Sequence, residues 1–433
     1  MNSIYKYLHL VTLCSILFIS CTQENPSSFV KVDGTSFTQN GEAFEYVGTN
    51  FWYGPYLGQP GEDGNRDRLN KELDFLAEHG ITNLRILGSS EEAVFENSLS
   101  PTFINADGSY NESLLIGLDY LLAEMDKRDM HAVIFLNNYW EWSGGMSSYH
   151  SWYGGGIPVD PSTGNWDGFM KFSAEFYQNE QAQNAFRNYI EQLVTRTNSM
   201  NGISYIEDPT IMSWQLANEP RPGTGEMSPV AIQAYYDWIE GTADFIKTLD
   251  PNHLVSSGSE GERGSLDSME IFIEAHNTPN IDYLTFHMWA KNWSWIDPAN
   301  MAETFSSAQE NANNYVLSHI EIAEQLNKPL VMEEFGFPRD AEEYSTSSPT
   351  TFRDQYYKMV FDLVEEHNVL AGTNFWSWGG FGQAQNENYW WVEGDPFMGD
   401  PPQEPQGLNS VFATDSSTLS IIVDHAKRIG ALE

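Results

Sequence analysis

The chain has 433 residues, of which 41% are hydrophobic and 14% aromatic, and it carries a formal charge of −40 at pH 7. The hydrophobic fraction is sufficient for a folded core and excludes a disordered chain. The negative charge excludes nucleic acid as a partner and disfavours anionic membrane surfaces and acidic polysaccharides, because all of these would be repelled. A neutral polymer fits the charge best.

Residues 1–21 predict a targeting segment. Lys6 supplies a positive charge, residues 8–19 are apolar, and the small residue Ser20 precedes Cys21. The apolar stretch is too short to span a membrane in the mature protein, and this order of features is typical of a signal peptide. We therefore expect an exported protein.

The end of this segment, residues 17–21, resembles a bacterial lipobox, although Phe18 replaces the usual leucine. In a lipobox the cysteine is lipidated and becomes the new N-terminus, so we expect a lipid on Cys21 to anchor the protein to the bacterial outer membrane. If Cys21 is not lipidated, we expect secretion. Cys14 lies within the removed segment, so no disulfide is expected within the mature chain.

The rest of the chain predicts alternating strands and helices. Residues 22–28 form a polar tether, and a short β-hairpin follows, with its turn at Asp33 and Gly34. Eight further strands are predicted at 44–50, 83–87, 132–136, 211–216, 254–257, 283–286, 330–333 and 372–376. Amphipathic helices separate them, which indicates parallel βαβ units. We predict one (β/α)8 TIM barrel with long strand-helix loops over residues 29–433, and no second domain.

Two of the predicted strands end in acidic residues. The fourth stops at Asn218-Glu219, because the following Pro220 cannot donate a hydrogen bond to a neighbouring strand. The seventh is another apolar strand that ends in carboxylates, at Glu333-Glu334. Catalytic residues of such barrels lie at the carboxyl ends of the strands. Two carboxylates there, facing each other across the axis about 5 Å apart, are what retaining hydrolysis of a glycosidic bond requires.

Other strand ends carry residue types that suit a sugar site. The candidate binding residues at this rim, besides the catalytic candidates Glu219 and Glu334, are Trp52, Arg85, Asn137, Asn218, His287 and Trp376. Asn218 is placed to bind a sugar 2-hydroxyl, a contact that strengthens in the transition state. Trp376 is expected to form a stacking platform for the reacting sugar.

The surroundings predict different roles for the two carboxyls. Arg85 and His287 are expected to stabilise an ionised Glu334 as nucleophile, because a nearby positive charge lowers the pKa of a carboxyl. Glu219 is then expected to keep its proton near neutral pH and to act as the acid. Glu333 is the rival of Glu334, but consecutive strand residues point to opposite faces, so only one of them is expected to face the axis.

Patterns for metal and cofactor sites do not occur. The sequence has no His-Glu-x-x-His, no paired cysteines, no Asp-rich calcium loop and no phosphate-binding glycine loop. Glycoside hydrolysis by two carboxyls uses no such group. We expect neither a metal nor a cofactor.

These residues resemble glycoside hydrolase family 5. The match consists, in order and in strand position, of Arg85, Asn218-Glu219-Pro220, His287, Glu334-Phe335-Gly336 and Trp376. The branch looks like the β-mannanases, with further similarity at residues 48–53, 137–138 and 399–407 and at Arg221. The resemblance implies that Glu219 is the acid/base, that Glu334 is the nucleophile and that Arg221 contacts the leaving-group side. It implies retaining endo-hydrolysis of β-1,4-mannosidic linkages in mannan, glucomannan or galactomannan.

One position departs from the family pattern. Members of the family often carry a tyrosine two residues after the histidine, where it donates to the nucleophile, and here that residue is Trp289. An indole has no phenolic hydroxyl, so either another donor serves or the nucleophile is tuned differently. Trp289 is also a candidate for stacking on the substrate.

Three alternatives remain open. A β-1,4-glucanase or an exo-acting mannosidase would use the same two carboxyls, and the long loop at residues 141–169 could close one end of the cleft and favour exo action. A surface lipoprotein that only binds glycan would not need two strand-end glutamates. We expect a monomer that binds a neutral β-linked polysaccharide or oligosaccharide and contacts a membrane only through its lipid.

Overall fold

The computed structural model describes residues 29–432. The predictions of a signal peptide, of a tether and of a lipid on Cys21 therefore concern positions outside the described residues. Within residues 29–432, no helix combines the length and the apolar character that a membrane span needs.

Eight parallel strands form the centre of the fold. They are β4 (Tyr46–Asn50), β5 (Ile81–Leu87), β6 (His131–Phe135), β7 (Ile211–Gln215), β8 (Leu254–Ser256), β9 (Leu284–Met288), β10 (Leu330–Phe335) and β11 (Leu370–Phe375). Their order in the sheet is β8-β7-β6-β5-β4-β11-β10-β9. Backbone hydrogen bonds from Asp282 to Val255 (2.8 Å) and from His287 to Glu260 (3.2 Å) link the two end strands, so the barrel is nearly closed. The predicted (β/α)8 barrel is confirmed.

The helices surround these strands. They are α1 (Gly54–Gly58), α2 (Arg66–Glu78), α3 (Glu112–Asp126), α4 (Gly145–His150), α5 (Trp166–Ala174), α6 (Glu180–Val194), α7 (Pro229–Leu249), α8 (Met269–His276), α9 (Met301–Leu326), α10 (Thr351–Glu366) and α11 (Ser416–Arg428). Side-chain oxygens start several of them: Asn65 accepts from the backbone of α2, Asn179 from α6 and Ser228 from α7. The apolar spacing at Phe186, Tyr189, Ile190, Leu193 and Val194 predicts one buried helix face, and all five residues are buried in α6.

A small antiparallel sheet precedes the barrel. It consists of β1 (Lys31–Asp33), β2 (Ser36–Gln39) and β3 (Glu42–Phe44), so the predicted hairpin has a third strand. The predicted strand at 44–50 is in fact two, because Phe44 pairs antiparallel with Phe37 whereas Tyr46 pairs parallel with Gly372. The sequence cannot reveal this division, because strand propensity does not identify the pairing partner. Phe37 packs with Tyr46 and Val331 at the amino-terminal end of the barrel.

Two long loops lie at the opposite, carboxyl end of the strands. One runs over residues 136–165 and contains α4. The other runs over residues 381–410, between the short strands β12 (Trp378–Gly380) and β13 (Val411–Phe412), which pair with each other. Catalytic residues of this fold lie at the same end.

Candidate active site

Glu219 follows β7 and enters the site in an unusual backbone conformation. Its φ of +49° lies in the left-handed region, which costs a non-glycine residue about 1–3 kcal/mol and persists only where the surrounding contacts fix it, as they do in many active sites. Its N–H donates to the carbonyl of Gly258 (2.9 Å), which holds the turn in place. The carboxylate accepts from His287 Nδ1 (2.6 Å) and Trp140 Nε1 (2.5 Å).

Glu334 approaches the same point from β10. Arg85 Nη1 donates to its Oε1, and His287 Nδ1 lies 3.4 Å from its Oε2. Single ligand atoms of Glu219, His287 and Glu334 all lie within 4.8 Å of one another. The structure therefore brings together the two carboxyls that the sequence places on separate strands, at a spacing that suits a retaining glycosidase better than an inverting one.

The guanidinium of Arg85 is held on several sides. Its Nε donates to Gln215 Oε1 (2.8 Å), Nη1 to Asn50 Oδ1 (3.0 Å) and Nη2 to Asn218 Oδ1 (2.8 Å). The side chain is fully buried, so these polar partners replace water. This network fixes the donor that contacts Glu334.

The prediction that only one of Glu333 and Glu334 faces the axis is wrong. The register of β10 against β9 shifts between Met332 and Glu334, which is a β-bulge. A bulge breaks the strict alternation of a strand and re-aims the side chains around it. The carboxylates of both residues therefore point into the barrel.

Glu333 lies below the catalytic pair. Its two carboxylate oxygens accept from Gln215 Nε2 at 2.7 Å each. Its Oε2 lies 3.5 Å from Arg85 Nε and 3.6 Å from His287 Nε2. The ring of His287 thus has carboxylates on both sides.

The pKa shifts of the two carboxyls run opposite to the predicted ones. Burial alone would raise the pKa of Glu219, but the hydrogen bond and charge of His287 outweigh it and lower this pKa to about 2. Burial raises the pKa of Glu334 to about 7 against the charges of His287 and Arg85. Burial would also lower the pKa of His287, but Glu334 and Glu219 raise it to about 10. A proton shared by the pair therefore rests on Glu334, because His287 lies closer to Glu219.

The same cluster has the spacing of a metal site, since it contains two carboxylates and an imidazole. However, Glu334 and Glu219 raise the pKa of His287 to about 10 against the effect of burial, and a protonated imidazole has no lone pair to offer a metal. We therefore assign no metal to it.

Above the catalytic pair lies a cleft of about 610 Å³. Trp376 and Trp289 form one wall, with ring centroids 5.8 Å apart in an edge-to-face arrangement. Opposite them, Arg221 lies over the ring of Trp140 (4.9 Å) and forms an ion pair with Glu260. Aromatic walls around charged hydrogen-bonding groups are typical of sugar sites.

Residues 27–433 match a family model described as "GH family 5 beta-mannosidase-like". The chain belongs to glycoside hydrolase family 5.

Solved structures of this family have the same architecture. The family 5 mannosidase from Rhizomucor miehei is 37% identical, covers 93% of this chain and 97% of its own, and superposes with a TM-score of 0.83. A variant of that enzyme with one glutamate replaced by alanine was solved in complex with mannosyl-fructose. The endo-1,4-β-mannanase from the same fungus, at 23% identity and a TM-score of 0.68, shares the fold.

Curated relatives cover most of the chain. Mannan endo-1,4-β-mannosidase 1 from Solanum lycopersicum is 28% identical and covers 96% of each chain. Mannan endo-1,4-β-mannosidase 2 from Arabidopsis thaliana is also 28% identical, over 83% of this chain and 80% of its own. This chain is a glycoside hydrolase of the family 5 mannosidase and mannanase group.

In this family 5 chain, Trp289 stands where many members have a tyrosine that donates to the nucleophile, and Arg85 is a donor to Glu334 instead. Arg85 donates to Glu334, and Trp289 Nε1 instead lies 3.3 Å from Glu219 Oε1. A Cβ at Gly336, directly after β10, would lie 3.0 Å from the Trp289 ring, so glycine at this position allows the indole to pack there. Trp289 therefore contacts the acid candidate rather than the nucleophile candidate.

The structure does not bring two of the predicted binding residues to the cleft. Trp52 is completely buried, and its Nε1 donates to the carbonyl of Gly399 (2.6 Å) while Phe397 packs on its ring. Asn137 is also buried, and its side chain accepts from the N–H of Asn138. Arg85 and His287 are buried as well, but they contact the catalytic carboxyls directly, and Asn218, Arg221, Trp289 and Trp376 line the cleft.

Several residues of the cleft are absent from the predicted set, among them the acidic residues Glu260 and Glu404. Glu260 could have been found, because it follows β8 at the same rim and obeys the strand-end rule. Glu404 lies in the loop between β12 and β13, and no periodic pattern signals its position. Burial of its carboxyl, with the charge of Asp400, raises the pKa of Glu404 to about 8. It therefore reaches the cleft as a neutral donor at neutral pH.

Proposed function

We propose that the protein hydrolyses β-1,4-mannosidic linkages within mannan, glucomannan or galactomannan, with retention of anomeric configuration. The observation that carries this proposal is the pair of strand-end carboxyls, Glu219 and Glu334, within 4.8 Å at the base of an aromatic cleft. The mannan endo-1,4-β-mannosidase activity of the named plant relatives supports the substrate.

In the proposed first step Glu334 attacks the anomeric carbon while Glu219 gives its proton to the departing oxygen. This breaks the glycosidic bond and leaves the sugar bound to Glu334 as an ester. In the second step Glu219 takes a proton from water, and the resulting hydroxide displaces Glu334. The sugar leaves with its original configuration, and both carboxyls return to their starting states.

The first step needs the shared proton on Glu219 rather than on Glu334. His287 Nδ1 lies 2.6 Å from one carboxylate and 3.4 Å from the other, so a small displacement changes which of them it stabilises. A sugar oxygen placed beside Glu219 would favour the protonated carboxyl as a donor. We propose that substrate binding transfers the proton in this way.

Reducing-sugar release tests the substrate. We expect locust-bean gum, a galactomannan, to be hydrolysed, and carboxymethylcellulose to be left intact. For mannohexaose we expect mannobiose, mannotriose and mannotetraose among the first products, because an endo enzyme cuts inner bonds. Activity on cellulose without activity on mannan would contradict the substrate assignment.

A second candidate, exo release from the nonreducing end, is favoured by the shape of the cleft. Among the described residues, those lining it follow β6 to β11, and none follow β4 or β5. The loop between β12 and β13 covers the end of β4. Trp52 Nε1 donates a hydrogen bond to the carbonyl of Gly399 in this loop, and Phe397 packs against the Trp52 ring. Mannose as the sole early product from mannohexaose would establish this alternative.

We also propose that the chain is exported and anchored by a lipid on Cys21, which the order of charged, apolar and small residues in positions 1–21 supports. In a bacterial host the full chain is expected to partition into the detergent phase of a Triton X-114 extraction. The Cys21→Ser variant is expected to stay in the aqueous phase. Equal partitioning of the two proteins would rule out the lipid anchor.

A further inference from the structure

Glu333 is a buried carboxylate in the barrel interior that the hydrolysis steps do not use. It contacts neither the cleft nor solvent, and its oxygens are occupied by Gln215 Nε2. It also faces the two cations of the site, Arg85 and His287, at 3.5 and 3.6 Å. A buried charge is costly unless charges of opposite sign lie nearby, so this arrangement needs a reason.

The balance of charges around the catalytic pair explains why a third carboxylate lies here. Two cations, Arg85 and His287, face three carboxyls, Glu219, Glu333 and Glu334. If Glu333 were neutral, both catalytic carboxyls could ionise against the two cations, and no proton would remain for the leaving group. We propose that Glu333 is a positioning residue whose negative charge keeps one proton on the pair formed by Glu219 and Glu334.

The other titratable groups near the pair are an ion pair, a carboxyl and two phenols. Arg221, after β7, helps His287 to lower the pKa of Glu219, but its charge is paired with that of Glu260, after β8. The carboxyl of Glu404, from the loop between β12 and β13, is neutral near pH 7, because burial raises its pKa. The phenols of Tyr46 and Tyr283, which are close enough to Glu333 to respond to its charge, have pKa values raised by burial and carry no charge at neutral pH.

The β-bulge explains how Glu333 reaches this position. In a regular strand the residue before Glu334 would point toward the surrounding helices. The register shift after Met332 turns it inward instead. The carbonyl of Glu333 accepts from Asn50 Nδ2 (3.0 Å), and Asn50 also contacts Arg85, which ties the bulge to the catalytic cluster.

The consequence concerns the pH dependence of catalysis. The charge of Glu333 contributes to the raised pKa of Glu334, and its contact with the His287 ring contributes to the raised pKa of His287. Without this charge both pKa values fall, so the pair loses its shared proton, and His287 its charge, at lower pH. Both effects move the basic limb of the profile of kcat/KM in the same direction.

The test compares Glu333→Gln with the wild type. Glutamine has nearly the same shape as glutamate, so the variant is expected to fold. The basic limb of its kcat/KM profile is expected to move to lower pH by about one unit. The reciprocal double variant Gln215→Glu/Glu333→Gln returns one negative charge beside Arg85 and is expected to shift the limb back. Asp119→Asn, which removes a buried carboxylate paired with Arg196 away from the cleft, is the matched control and is expected to leave the limb in place.

The inference rests on the proposed two-carboxyl hydrolysis but not on its substrate, so the profile is measured on whichever β-glycoside the wild type cleaves. Failure to cleave mannan would contradict the proposed function alone. A folded Glu333→Gln protein with an unmoved basic limb would overturn the inference. So would an unfolded variant, or a limb that the double variant does not restore, since these results indicate a structural role.

Discussion

Replacing Glu334 by alanine is expected to lower kcat on mannan by about four orders of magnitude, which is about 5.4 kcal/mol of transition-state stabilisation. The loss is large because the variant has no group that can form the ester intermediate, and because Arg85 and His287 then face a site with one carboxyl fewer. The measurement is initial-rate kinetics on mannan and on an activated aryl β-mannoside.

Azide makes this experiment specific for the nucleophile. In Glu334→Ala the space left by the carboxyl admits azide, which can displace an activated leaving group directly. One displacement inverts the anomeric centre, so the expected product is α-mannosyl azide. Glu366→Ala, which removes an exposed glutamate at the end of α10, is the control and is expected to retain wild-type kcat. A Glu334→Ala enzyme with undiminished activity would refute the mechanism.

The barrel could be predicted from the sequence because its signals are periodic. Apolar runs mark the buried parallel strands, and helices such as α6 bury the face that their apolar spacing predicts. Polar residues at strand ends then identify the catalytic rim, which is how Glu219, His287 and Glu334 were found. The same rule applied to β8 would have added Glu260.

The features that the sequence does not reveal are set by local departures from regular backbone geometry and by contacts between residues far apart in the chain. The bulge that turns Glu333 inward breaks the alternation on which strand predictions depend. The positive φ of Glu219 is set by its hydrogen bond to Gly258. Trp52 fits the pattern of a binding residue, but residues far along the chain, Phe397 and Gly399, bury it.

The charges of the site were the least predictable feature. Positive groups near Glu334 indicate an ionised nucleophile, yet His287 lies closer to Glu219 than to Glu334. A difference of this size between the two nitrogen–oxygen distances changes which carboxyl has the lower pKa, because both lie in a buried site. Residue identity alone does not contain that information.

Replacing Glu219 by alanine is expected to produce a loss that depends on the leaving group. On mannan, whose departing hydroxyl needs a proton, kcat should fall by about 10²–10⁴-fold. On 2,4-dinitrophenyl β-mannoside the first step needs no acid, so Glu334 should still be mannosylated, while the second step slows for lack of a base. The ester then accumulates, and KM should fall together with kcat.

Azide again separates the roles, now with the opposite stereochemistry. It needs no base, so it should attack the mannosyl ester of Glu219→Ala and release β-mannosyl azide, with rate increasing with azide concentration. Two displacements retain configuration, whereas the single displacement expected in Glu334→Ala inverts it. Trp140→Phe, which removes the N–H donated to Glu219 but leaves the carboxyl in place, is expected to lower kcat on both substrates equally and to give no azide product. An α-azide from Glu219→Ala would exchange the two assignments, and equal losses on mannan and on the activated mannoside would remove the acid role from Glu219.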